Sequence, residues 1–454
     1  MSDPQNKRVL VVLPGSMIAR NWLSTGLSDR LGRSGLEVIL VTPDTADRAV
    51  AEAVGLGWRP LLRIGGSRFM TRWRLAAGYF LHLALVFRFN AIREFRGAAQ
   101  RLRQNRHLRH LALKDGVPAF SVFGWPFPKS RSLFERLAVL HASRWQRFGE
   151  VERLFDELKP DLLVLGHVQN HFPMPYALAA SARKIPILGA IGSWDQPTTK
   201  GPLLPGISSL LAQSRAVESQ LIEHHGVSAD NIEIAGWPQM DLFARGGPPQ
   251  SRAKVLASLQ LDPDRRYVLM GASPERLGHN EPRIAGDLAT ALAQQDCALV
   301  IRIHPNDRTW RERFLPLHRP PHVVVLPPEL GDMRRMAAQI RNAAALLSPA
   351  GSILLDAIAL DTPAIALAFE NDDEPYDDRL ARRYEMEHWA EIVASGGISL
   401  ARSQRELEAL VISALSDRSS GAEQRAFVRS QFLEPLDGGV ADRIVAAITR
   451  AAGA

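Results

Sequence analysis

A single cysteine, Cys297, stands in 454 residues. No intrachain disulfide can form and no thiolate cage can hold zinc, so the chain suits a reducing cytoplasm. Long apolar runs are missing too. The longest, Leu75–Phe87, has 13 residues and contains His82, whereas a membrane-crossing helix needs about 20. The start reads as lacking a secretory signal, because Lys7 and Arg8 lead only into Val9–Leu13, which Pro14 halts with no small-residue cleavage pattern behind it. No internal repeat is evident. What is present is an ordinary globular mixture, 46% apolar and 23% charged with 33 glycines and 30 prolines. It speaks against disorder, collagen-like repeats and a polytopic membrane protein. At roughly 150 residues per domain, the length implies two or three domains.

Acidic residues are scarce in one stretch. Between Arg68 and Arg109 there are ten arginines, no Lys or Asp, and one acid, Glu94. That segment carries +9 of a net +7, which leaves the remainder of the chain at −2. Trp73, Phe80, Leu83, Phe87 and Phe89 lie among these basic flanks. A cationic apolar helix of this kind can rest in a bilayer interface, arginines on anionic headgroups and aromatics in the acyl boundary. Membrane-surface association is the leading reading, and a core helix with a solvated arginine-rich extension is the alternative. Nucleic-acid binding lacks both a recognition motif and a visible stacking platform.

Short Val/Ile/Leu-rich runs alternate with amphipathic ones along the chain. Residues 7–13, 37–42, 159–167, 185–191, 208–212 and 232–235 read as strands, and 17–31, 151–158, 175–184 and 216–225 as helices. A Gly-Gly-Pro-Pro stretch at 246–249 reads as a linker. The cycle then restarts with strands at 266–271, 298–303, 323–326, 344–347 and 364–368, and helices at 284–294, 332–342, 353–359, 406–415 and 440–452. Buried strands separated by helices imply parallel sheets covered on both faces. The expected fold class is α/β, two doubly wound Rossmann-like domains. In such sheets ligands bind beyond the carboxyl ends of the strands.

The stretch LLSPAGSILLDAIALDTPAIALAF (346–369) is the most informative of these ends. A strand closes at Ser348, a small-residue turn reaches Gly351 and Ser352, and a helix follows with Asp356 one turn in. Small residues let a phosphate approach the backbone, and helix-start N–H groups favour an anion; equally, Ser352 can simply cap the helix and Asp356 complement its positive end. A Ser, a small pair, an acid four to five residues on and then Asp-x-Pro before a strand resembles the donor-nucleotide motif of GT-B glycosyltransferases. Similar patterns occur in non-hydrolysing UDP-GlcNAc 2-epimerases and CDP-glycerol glycerophosphotransferases. The resemblance implies that Gly351 and Ser352, with Ser348, hold a diphosphate and Asp356 the ribose, although the usual acid is often the longer Glu.

VIRIHPNDR (300–308) puts Arg302 and His304 at another strand end, where they can neutralise a phosphate or contact a base. Its His-Pro pair resembles one in glycerophosphotransferases and CMP-sugar transferases. In MGASPERLGHNEPRI (270–284), Ser273, Arg276, His279 and Glu281 are polar. The look-alike families bring this loop to the donor phosphates, which favours Arg276 and His279, while loop capping accounts for Ser273 and Glu281. In the first half, Pro14-Gly15-Ser16-Met17 resembles the glycine-bearing acceptor-side loop of GT-B enzymes, although it is not GxGxxG. His167 and His171 follow a strand, and either can serve as general base. Their spacing also suits metal ligation, but no third ligand or HExxH context accompanies them.

GAIGSWDQPTTKG (189–201) resembles an SWD…KG signature of polysaccharide-biosynthetic relatives. An exposed Trp194 in such a loop would stack on a sugar while Asp195 takes a hydroxyl proton, with Lys200 in the same cluster; the plain alternative is a turn with Trp194 packed beneath it. AGWPQMD (235–241) resembles the G-x-P-x-x-D before a GT-B interdomain linker, and the last helix resembles the GT-B tail that returns to the first domain.

The resemblance covers 7 to about 450 as short ordered motifs. It implies an acceptor-side domain at 1–245, a nucleotide-donor domain at 250–435 facing it across a cleft, and a crossover helix at 436–454. The expected activity is a metal-independent glycosyltransferase at the cytoplasmic membrane face, with catalytic Asp195 or His167. Its partners would be a nucleotide-sugar donor substrate, a surface-polysaccharide or lipid-linked acceptor and an anionic membrane, with no nucleic acid, metal or other cofactor. The acidic pairs Asp372-Asp373 and Asp377-Asp378 read as solvated or acceptor-facing. The alternatives are a CDP-glycerol-type glycerophosphotransferase, a UDP-GlcNAc 2-epimerase-like enzyme and a non-catalytic membrane-docked nucleotide-binding scaffold.

Overall fold

In a computed structural model, residues 6–62, 149–169, 172–199, 203–204, 206–244, 251–275, 280–329, 332–370 and 380–454 are described. The basic segment 68–110, the linker at 246–249, the acidic pairs at 372–373 and 377–378, and His171, Lys200, Arg276 and His279 lie outside them. The chain divides into two compact units, Met1–Pro238 with Gly439–Ala454, and Gln239–Gly438.

The first unit is built on a parallel sheet of β1 (Arg8–Val12), β2 (Glu37–Thr42), β3 (Gly57–Pro60), β4 (Leu162–Leu165), β5 (Ile187–Ala190), β6 (Ser209–Ala212) and β7 (Ile232–Ile234), in the order β3-β2-β1-β4-β5-β6-β7. Central β1 pairs Val9 with Val38 on one side and with Leu162 on the other. The order reverses there, so the chain runs outward from β1 in both directions. Val9–Val12 and Leu162–Leu165 are fully buried, since helices cover both faces.

The helix expected over 17–31 is two, α1 (Ser16–Leu23) and α2 (Leu27–Gly32). Gly26 between them has φ +81°, a left-handed conformation that breaks the helical run, and the Thr25 hydroxyl turns back to the Asn21 carbonyl at 2.8 Å. At the end of α2 a Cβ on Gly32 would stand 2.0 Å from the Val54 carbonyl oxygen, so only glycine fits that approach. Further helices of this unit include α3 (Ala46–Ala53), α4 (Gly149–Leu158), α5 (Met174–Ala182) and α6 (Arg215–His225).

The second unit carries a six-stranded sheet of β8 (Arg266–Gly271), β9 (Cys297–Arg302), β10 (Val323–Leu326), β11 (Leu346–Ser348), β12 (Ala364–Leu367) and β13 (Ser399–Ala401). Its order is β10-β9-β8-β11-β12-β13, again parallel, with the reversal between β8 and β11. Helices α7 (Arg252–Ser258), α8 (Glu281–Ala293), α9 (Met333–Asn342), α10 (Ile353–Ala359), α11 (Glu387–Ala394), α12 (Gln404–Ser416) and α13 (Ala422–Val428) surround it. The last helix, α14 (Val440–Ala452), belongs to the first unit, as the GT-B resemblance implies. Its Val440, Ala441, Ile444, Ala447, Ile448 and Ala452 join one core with Leu27 and Leu31 of α2. The Arg443 Nε donates to the Ala235 carbonyl at 2.9 Å.

Candidate functional site

In each unit the candidate residues lie beyond the carboxyl ends of the strands that flank the reversal and of the strand next to them. In the second unit that edge begins with Ser348, the last residue of β11, whose buried hydroxyl donates to the Gly271 carbonyl at 2.7 Å. Ser348 thereby stitches β8 to β11 at the point where they part, and its proton is committed. A Cβ on Gly271 would lie 3.0 Å from Ile353 Cγ2, and one on Gly351 3.1 Å from Ser348 Oγ, so larger residues would crowd this turn.

The turn itself depends on a residue that sequence reasoning missed. Ala350 has φ +41°, unusual for a residue with a Cβ, and its N–H donates to the Tyr384 hydroxyl at 2.6 Å. The same hydroxyl stands 3.1 Å from the Leu367 carbonyl at the end of β12, to which it donates. Burial pushes the ionisation of Tyr384 well above its ordinary value. Tyr384 also packs edge-on against Trp389, ring centroids 5.7 Å apart. Nothing in the local sequence around Tyr384 points to Ala350, 34 residues away. Beyond the turn, Gly351 is half-buried and Ser352 exposed, and the Ser352 side chain caps no N–H. Asp356, expected at a ribose, is only 5% exposed and is enclosed in the first turn of α10.

Arg302 closes β9 and is buried, with one guanidinium nitrogen donating to Gln339 Oε1 at 3.1 Å. Burial lowers its pKa, opposed by the charge of Glu329. His304, two residues on, is half-buried, and its Nδ1 accepts the Asn306 N–H at 3.0 Å, which leaves the neutral ring's proton on Nε2. Behind β8, the buried Asp307 takes an ion pair from Arg313 at 2.6 Å, and Arg313 also donates to the Ser273 carbonyl at 3.2 Å. The Ser273 N–H donates to Glu281 Oε2 at 2.8 Å.

In the first unit three segments converge. Gly15 caps α1 in extended conformation, and a Cβ there would meet nothing within 4 Å; Ser16 is exposed. Ile18 of α1 approaches both the Gly166 position after β4 and the Gly192 position after β5, and a Cβ on Gly192 would lie 3.0 Å from the Gly166 carbonyl oxygen. His167 is buried, its Nδ1 accepting the Gln169 N–H at 3.2 Å. Asp195 is half-buried and accepts the Ser193 hydroxyl at 2.5 Å. Trp194 differs from the stacking platform envisaged for it, at 6% exposure. The chain turns at once into the short helix Gln196–Thr199, in which Gln196 and Thr198 are also buried, so the indole is drawn inward. His225 anchors that helix at 2.8 Å from the Pro197 carbonyl.

Among the described residues no three His, Cys, Asp or Glu side chains are grouped to hold a metal ion. Among them, too, no helix is long and apolar enough to cross a membrane.

No protein-family profile matches the chain, and no curated protein matches it by sequence. Solved structures do. The Staphylococcus aureus MnaA–UDP complex is 14% identical with a TM-score of 0.57, over 98% of this chain and 96% of that one. The UDP-GlcNAc 2-epimerase of Methanocaldococcus jannaschii is 14% identical at 0.54, over 98% and 99%. A glycosyltransferase of Rickettsia africae is 10% identical at 0.52, over 98% and 99%. Likeness at this identity is one of fold, and with the two parallel doubly wound sheets it makes this a two-domain α/β protein of GT-B fold.

Proposed function

We propose that the protein is an enzyme that uses a nucleotide-sugar, and specifically a glycosyltransferase that passes the sugar to a surface-polysaccharide or lipid-linked acceptor at the cytoplasmic membrane face. The observation that carries this reading is the edge of the second sheet at its reversal. There the turn 349–352 is built of small residues and held by Tyr384, and two strands away Arg302 closes β9 with His304 just beyond it. The diphosphate sits on the Gly351–Ser352 turn and Asp356 supports the ribose side; Arg276 and His279, outside the described residues, are assigned to the diphosphate by the sequence resemblance alone. Cationic and dipolar groups fixed at that point would stabilise the charge of a departing diphosphate without a metal. In the first unit Asp195 or His167 removes the acceptor proton, and Gly15 and Ser16 line the acceptor side, to which the sequence resemblance alone also assigns Lys200. Trp194 enters as a support beneath Asp195. The fold likeness to a UDP complex and to a glycosyltransferase supports nucleotide-sugar use.

An epimerase is the second reading, favoured by the TM-scores of 0.57 and 0.54 against 0.52 for the glycosyltransferase. One experiment addresses both. Titration calorimetry with UDP, GDP, ADP and CMP, with magnesium or a chelator, is expected to give binding of one nucleotide class unaffected by chelation. Incubating the matching nucleotide-sugar then separates the two. A transferase releases nucleotide only when acceptor is present, whereas an epimerase yields the C2 epimer without acceptor. Binding of none of the four nucleotides would overturn the proposal.

A further inference from the structure

Glu281, the first residue of α8, is 1% exposed. Its Oε2 accepts the Ser273 N–H at 2.8 Å, two residues beyond the end of β8, and the Ser273 hydroxyl reaches the same carboxyl. Its Oε1 is buried with no hydrogen-bond partner among the described residues. An enclosed carboxylate oxygen without a donor is costly, while the same oxygen in a neutral acid is far less so. The charged and titratable groups facing this carboxyl come from three other segments. Arg313 of the Trp310–Arg313 helix is held by Asp307 at 2.6 Å; Glu370 follows β12 and accepts the Asn280 N–H at 3.2 Å; and Tyr384 senses the charge of Glu281 while holding the Ala350 turn. Among the described residues one cation, already paired, thus faces one further acid and a buried phenol. Glu281 fastens the start of the loop leaving β8, the strand whose Gly271 carbonyl takes the Ser348 hydroxyl at the end of β11.

We propose that Glu281 is a positioning residue whose proton keeps the start of the loop leaving β8 in the arrangement that admits an anionic ligand, so that ligand binding is coupled to proton binding. This rests on the reading of that edge as a nucleotide site. When the carboxyl ionises, a negative charge appears just past the end of β8, the strand paired with the one that leads into the proposed diphosphate turn, and the Ser273 fastening changes from a bond to an acid into one to an ion. Burial is the main force holding the acid neutral, opposed by the Ser273 N–H and by Arg313, and its pKa is pushed up to about 8. An exposed carboxyl in the unfolded chain titrates near about 4.3. Between these values the folded protein keeps a proton that the unfolded chain has lost, so stability falls as pH rises through that window and levels off above it.

The test compares the full-length protein with Glu281→Gln, which keeps shape and stays neutral. Melting temperature is followed from about pH 5 to about pH 9, and UDP affinity is measured at about pH 6.5 and about pH 9. The expected result is a melting-temperature difference that grows in favour of the variant up to about pH 8 and then stays constant. Wild-type affinity for UDP should also fall at least about threefold more than the variant's across the same interval. A melting-temperature difference that does not change with pH overturns the proposal even if UDP binds. A changing difference with no UDP binding by either protein rejects the nucleotide reading and with it the coupling, while leaving the neutral acid in place. A pH-independent affinity ratio overturns the coupling. Should Glu281→Gln fail to fold, infrared titration of the wild type decides the protonation directly. A protonated-carboxyl band at neutral pH that vanishes near about pH 8 is expected, and its absence at neutral pH overturns the proposal.

Discussion

Two main-chain groups meet at the Tyr384 hydroxyl, the Ala350 N–H and the Leu367 carbonyl. Tyr384→Phe leaves both buried without that partner, at a cost of about 1–3 kcal/mol. Ala350 also loses the contact that keeps it at φ +41°. The expected outcome is a lower melting temperature together with at least about a fivefold loss of nucleotide affinity, the turn no longer being held. If melting falls and affinity does not, the 349–352 turn is not where the nucleotide sits. Other residues at this scale show how a side chain's surroundings can differ from what its motif suggests. Trp194 and Asp356 stand in the expected segments, yet both are enclosed. Sequence spacing locates a residue along the chain and says little about which way a loop side chain turns.

At the scale of elements, α14 offers the cleanest separation of local from tertiary causes. Its stripe of Val440, Ala441, Ile444, Ala447 and Ile448 is visible as helical periodicity, and its expected span is the observed one. Its packing on α2 involves contacts more than four hundred positions apart, such as the Arg30–Asp442 ion pair. Ile448 is fully buried, so Ile448→Ala is expected to destabilise the first unit by about 2–5 kcal/mol, read from the urea midpoint of the full chain. A loss below about 1 kcal/mol would mean that the helix contributes little to that core. Central strands were legible because burial on both faces makes them continuous apolar runs. The edge strands β3, Gly-Trp-Arg-Pro, and β13, Ser-Leu-Ala, escaped notice because each has one neighbour and an apolar content too low to stand out.

For the whole molecule, the decisive number is the charge distribution, +9 between Arg68 and Arg109 against −2 elsewhere. Each arginine near an anionic bilayer is worth about 1 kcal/mol, screened by salt within about 8 Å at physiological ionic strength. Replacing Arg93, Arg96, Arg101 and Arg103 with neutral residues is therefore expected to abolish most sedimentation with anionic liposomes. Added salt should do the same to the wild type, and nucleotide affinity should remain. Equal pelleting of wild type and variant would remove the membrane from the proposed function.

The sequence by itself determined the alternation of buried strands and amphipathic helices, the doubly wound class and the strand ends where polar residues collect. These follow from local periodicity and from the need to cover both faces of a parallel sheet. Tertiary structure alone decided what each polar side chain meets. It brought Tyr384 to Ala350, set Glu281 against Ser273 with Arg313 close by, and buried Trp194. Such contacts join elements distant in sequence, and burial, which governs whether an acid keeps its proton, comes into being only when those elements pack.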